Sequence, residues 1–98
     1  MSTREFIAKK VIPIFKSQGV VKAAFFGSFA RGEAKKNSDI DFLVKFRNQK
    51  SLLDLVRLKL LLEDGVDNKI DVITYDSIYP SLRKSILAEQ KVIYEKGR

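Results

Sequence analysis

The sequence predicts a small α/β (α+β) domain, a mixed β-sheet backed by helices, and three observations carry that prediction. Apolar runs at 20–26, 39–46 and 69–75 have strand length and are bounded by Gly, Ser and Asn. Helix-start signals stand before, between and after them, opening at Ser2, Ser51 and Pro80. With 98 residues, 45% of them hydrophobic, and no repeat or low-complexity tract, the chain reads as one domain over 1–98.

Ser2-Thr3-Arg4-Glu5 has capping-box spacing, and Phe6, Ile7, Val11, Ile12 and Phe15 follow at roughly helical intervals. Pro13 lies inside that pattern and has no amide hydrogen to give, so a kink or a restart is expected there. Gly19 ends the helix. Val20–Phe26 is a nearly continuous apolar run, as in a well-buried strand, and stops at Gly27. A helical turn from Ser28 to about Gly32 and a loop through Ser38 lead to the second strand, Asp39–Phe46. Ser51, with Asp54 three residues on, opens a helix to about Asp64, with Gly65 as its stop. The apolar residues of this helix, among them Leu52, Leu58, Leu61 and Leu62, cover more than one face. Either it is fully packed, with Arg57, Lys59 and Glu63 outward, or part of it is a protein interface. Lys69–Tyr75 is the third strand, and Pro80 begins a last helix with Leu82, Ile86 and Leu87 on one face. Lys91–Glu95 either prolongs that helix or forms a short edge strand.

Composition removes several kinds of chemistry. Without cysteine there is no disulfide and no thiolate metal site, and without histidine zinc is a poor fit. An ion would need oxygen ligands, as magnesium or manganese does. No signal peptide or membrane-spanning run is evident, and a cytoplasmic protein is the simple expectation. Residues 1–50 hold eleven Lys/Arg against four Asp/Glu, whereas 51–98 hold eight of each. The basic half suits either an anionic ligand or plain solubility.

The stretch GSFARGEAKKNSDIDFLV, residues 27–44, is the informative one. Residues two apart on a strand share a face, so Asp39 and Asp41 stand together while Ile40, Phe42 and Val44 turn to the core. Adjacent carboxylates repel unless a cation collects them. Asp71 lies opposite in direction to Ile70 and Val72, and brings a third carboxylate to the same face if the two strands are neighbours. Such a trio suits two magnesium ions on phosphate oxygens. Gly27-Ser28, between a strand and a short helix, allows close backbone approach to a phosphate and adds a hydroxyl. Arg31 reads as a phosphate contact or as an ordinary surface arginine, and Lys35 and Lys36 as a solvated run or as ligand-attracting charge. Glu33 reads as a site residue or as the partner of Arg31.

Gly-Ser, a spacer, Asp-x-Asp and a later strand aspartate resemble the signature of the DNA-polymerase-beta-like nucleotidyltransferase superfamily. The G-S-x-A-R-G wording and short length resemble its minimal nucleotidyltransferases (MNT), found in HEPN/MNT toxin–antitoxin pairs. The resemblance implies a nucleotidyltransferase-type fold, with Gly27, Ser28 and Arg31 on the nucleotide. It implies Asp39, Asp41 and Asp71 as the catalytic, metal-binding trio, with two Mg²⁺ (or Mn²⁺) as cofactors and ATP as substrate. It further implies AMP transfer to a tyrosine of a HEPN-type helical toxin in a hetero-oligomer. The other readings are an antibiotic-type small-molecule transferase and an antitoxin that acts by binding alone. A nucleic-acid module is a further one, allowed by the lysines.

Overall fold

The structure is a computed structural model that describes residues 3–33 and 39–97. The described elements run α1 (Thr3–Ser17), β1 (Val20–Phe26), α2 (Ser28–Arg31), β2 (Ile40–Phe46), α3 (Leu52–Val66), β3 (Ile70–Thr74), a 3-10 turn (Tyr75–Ser77), α4 (Pro80–Glu89) and β4 (Lys91–Glu95). The strands form one sheet in the order β3-β2-β1-β4. β1 is antiparallel to β2 and to β4, whereas β3 returns parallel to β2 after the α3 crossover, so the sheet is mixed as expected. Lys91–Glu95 is the edge strand rather than more helix, because Gln90 ends α4 and β4 finds backbone partners on β1.

One face of the sheet carries the main core. Ile40, Phe42 and Val44 are fully buried there, together with Ile7, Val11 and Phe15 of α1 and Leu58 and Leu62 of α3. A column of rings crosses this core: Phe29 stacks on Phe25 at 5.8 Å, Phe25 on Phe42 at 5.0 Å, and Phe15 meets Phe42 edge-on at 5.3 Å. The opposite face is not open along its whole length, since Ala24, Leu43, Tyr75 and Ile78 form a second buried cluster with Ile86 and Leu87 of α4 packed on it.

Three local expectations need correction. α1 does not restart at Pro13 but runs as one helix past its exposed ring, with Ile7, Val11 and Phe15 holding both halves on the sheet. α3 does not stop at Gly65. It runs to Val66, and Asp67 takes the left-handed cap conformation at φ 58° and donates its N–H to Glu63 O at 2.8 Å. Gly65 lies instead beside Ile14 of α1, whose Cδ1 is 2.9 Å from where a β-carbon would stand. The third strand ends at Thr74, one residue early, as Tyr75 begins a 3-10 turn. The capping box expected at Ser2 and the loop with Lys35 and Lys36 lie outside the described residues.

Candidate active site

Asp41 and Asp71 face each other directly. The parallel register of β2 and β3 pairs Ile40 with Ile70 and Asp41 with Asp71. Because both isoleucines are fully buried in the main core, both aspartates point to the other face. On the far side of β2, Asp41 is paired with Phe26, the last residue of β1, and Gly27 follows. A β-carbon at Gly27 would lie 2.6 Å from Asp41 Oδ2, and the backbone there has φ 68°, so glycine is required by space and by conformation. Asp39 sits just before β2 and is exposed.

Electrostatics bear out the crowding. Partial burial first, then the charges of Asp71 and Asp39, push the Asp41 carboxyl above the usual carboxylate range, and Arg31 pulls it back. Lys59 Nζ lies 3.7 Å from Asp71 Oδ1. Arg31 leaves the last turn of α2 with its guanidinium hydrogen-bonded to Glu33 and 3.4 Å from Glu89 at the end of α4. Those two carboxylates hold the guanidinium firmly in its charged form. Glu33 is therefore the partner of Arg31, one of the two roles its position allowed. Phe29 and Ala30, both buried, fix α2 to the sheet, and Arg4 donates to Ala30 O at 3.4 Å. Ser28 and Arg31 are thus presented from a seated turn.

The donors suit a hard divalent cation: three carboxylates and the Ser28 hydroxyl, with no imidazole or thiol in the chain. The crowding at Asp41 is what a cation would relieve. Among the described residues, no three acidic groups stand close enough to form a closed ligand set.

Sequence reasoning missed Lys59 and Glu63, which one of its two readings of the helix turned outward. Glu63 Oε2 accepts from the N–H of Ile70 at 3.0 Å and so fixes the start of the strand that carries Asp71. Helical spacing gives no signal for either contact, since each is made to a strand reached only after the crossover. Glu89, the second partner of Arg31, lies 58 residues away in the chain and was equally invisible.

The site is thus a glycine–serine turn seated against paired strand carboxylates on a mixed sheet. The family model for polymerase beta nucleotidyltransferases matches residues 9–98, and the chain belongs to that family. A protein of Methanocaldococcus jannaschii with the provisional name of protein adenylyltransferase is 54% identical over 83 residues, 85% of this chain and 89% of its own length. A solved structure described provisionally as a minimal nucleotidyltransferase is 37% identical, covers 91% of each chain and superposes with a TM-score of 0.79. A chain from a Shewanella oneidensis complex of a tri-AMPylated HEPN toxin with an MNT antitoxin has a TM-score of 0.75, covering 96% of this chain and 74% of its own. At 17% identity that last likeness is one of fold alone. No described helix is long and apolar enough to cross a membrane.

Proposed function

We propose that this chain is a protein adenylyltransferase that moves AMP from ATP to a tyrosine hydroxyl of a HEPN-type toxin partner, and so acts as the antitoxin of the pair. The observation that carries the reading is Asp41 paired in register with Asp71 and pressed against Gly27. The name carried by the M. jannaschii relative supports it.

In this mechanism Asp39, Asp41 and Asp71 would hold magnesium ions. Bound there, the ions would neutralise triphosphate charge and lower the pKa of the attacking hydroxyl. Gly27 lets the α- and β-phosphates approach the end of β1, and Ser28 donates its hydroxyl to a phosphate oxygen. Arg31 exchanges Glu33 or Glu89 for the phosphates. The partner's hydroxyl oxygen forms the new bond to the α-phosphorus, its proton passes to Asp71, and the bond to the bridging oxygen breaks to release pyrophosphate. The protein supplies placement and charge, which is most of what this in-line displacement asks of it.

Purified chain, labelled ATP, Mg²⁺ and the candidate toxin test the reading. The expected result is label on a toxin tyrosine with stoichiometric pyrophosphate, and at least ~100-fold less label with Asp41→Asn. An unlabelled toxin that is nevertheless bound and silenced would point to inhibition by binding alone.

A further inference from the structure

A basic cleft lies at the end of the sheet opposite the carboxylates. Arg47 follows β2, six residues after Asp41, which places it about 20 Å away along the strand. Here Lys16, Arg47, Lys50 and Lys96 surround a cleft of about 690 Å³, with Asn48, Tyr94 and the backbone of 19–21 completing the wall. No Asp or Glu lines it. Among the described residues none of the four cations is in an ion pair.

The cleft is built on tied backbone. Arg47 N–H donates to Gly19 O at 2.9 Å and Lys96 N–H to Val21 O at 2.8 Å, so three chain segments from distant parts of the sequence are held side by side. Lys50 lies across Gly19, its Nζ 3.7 Å from where a β-carbon would stand, and Lys16 Nζ rests 5.7 Å from the centre of the Tyr94 ring. The nearby acids are otherwise engaged: Glu95 with Lys22 at 3.8 Å, and Asp54 with the Ser51 cap at 3.0 Å. Two helix ends meet at this pole. The negative end of α1 offsets the positive end of α3, so the four side chains set the sign.

Keeping four like charges together, with Asp54 offsetting only Lys50, costs stability unless a polyanion collects them. A protein surface is the poorer occupant, because interface centres are depleted of lysine and built on apolar or aromatic anchors. A flexible phosphodiester chain matches better: its phosphates meet cations spaced around a concave wall, and Tyr94, with Lys16 over its ring, puts an aromatic beside them. We infer that this cleft binds single-stranded nucleic acid, at a site separate from the nucleotide-transfer carboxylates.

Fluorescence anisotropy with a labelled oligouridine of about ten nucleotides tests it. The double variant Arg47→Gln/Lys50→Gln should weaken binding about tenfold or more and flatten the dependence of log K on log salt by about 1.4. Lys9→Gln/Lys84→Gln removes the same charge from exposed sites elsewhere on the molecule and should leave both quantities near the unaltered protein. Circular dichroism verifies that each variant is folded. Equal weakening by the two double variants would overturn the site in favour of net charge alone. Displacement of the oligonucleotide by polyphosphate as readily as by oligouridine would overturn its assignment to nucleic acid. Toxin labelling reads the carboxylate site independently, so either inference can fail without the other.

Discussion

At Gly27 an added methyl group meets Asp41 Oδ2 at 2.6 Å, whereas at Gly32 it meets nothing within 4 Å, although both residues have positive φ, 68° and 74°. The pair separates backbone strain from damage to the site. Gly32→Ala incurs only the left-handed conformation and should lose about 1 kcal/mol in urea denaturation. Gly27→Ala adds the collision with Asp41, so it should lose about 1–2 kcal/mol more and nearly all transfer activity. Equal losses of stability and activity in the two variants would show that Gly27 serves only the turn. The sequence made this residue conspicuous only through the Asp-x-Asp strand that follows it, since glycine closes many apolar runs. Its contact was out of reach, since Asp41 is fourteen residues further on.

α3 presents two surfaces of different worth. Leu58 and Leu62 are fully buried, while Leu52 and Leu53 are each 76% exposed and Leu60 is 58% exposed. Leu58→Ala should lower stability by roughly 2–5 kcal/mol through the cavity it leaves. Leu53→Gln should change it by no more than about 0.5 kcal/mol. Chemical denaturation of the two variants checks the contrast, and similar losses would mean that the outer leucines are packed. Neither reading of this helix from its pattern alone is complete: the apolar excess is genuinely uncovered, yet Lys59 and Glu63 turn inward to β3. The start of the helix was legible, since Ser51 and Asp54 form the reciprocal cap that their spacing announces. Its end was not. Glycine stops a helix where the chain must turn left-handed, and here that duty falls to Asp67.

Over the whole molecule, three groups set opposing pH trends. Asp41 is held above the ordinary 3.8, so just above that value the folded chain keeps a proton that the unfolded chain has lost, and stability falls as pH rises through this window. Asp54 runs the other way. Its carboxylate accepts from the Ser51 backbone and hydroxyl, which lowers its pKa, and that contribution is present above 3.8 and is lost in stronger acid. Tyr75, buried and donating to Gln90 Oε1 at 2.5 Å, is raised from 10.0 to about 12, so stability should fall again as pH climbs between those values. Tm followed from acid to alkaline pH checks the signs. Asp41→Asn should match the unaltered protein near pH 3.8 and melt higher at neutral pH, and a variant that melts lower at neutral pH would contradict the crowding at this carboxylate. Sheet and flanking helices were readable from apolar runs and caps. The second core was not, because Leu43, Tyr75 and Ile78 reveal a shared cluster only after α4 folds across the face that Asp41 and Asp71 leave bare.

The parallel return of β3 has a consequence for synthesis. A nascent polypeptide emerging as far as residue 69 already owns the turn at 27–28 and the first two acids, yet lacks the strand that β2 must recruit from beyond α3. Asp41 therefore gains its in-register partner Asp71 only when a late segment pairs with one made some thirty codons earlier.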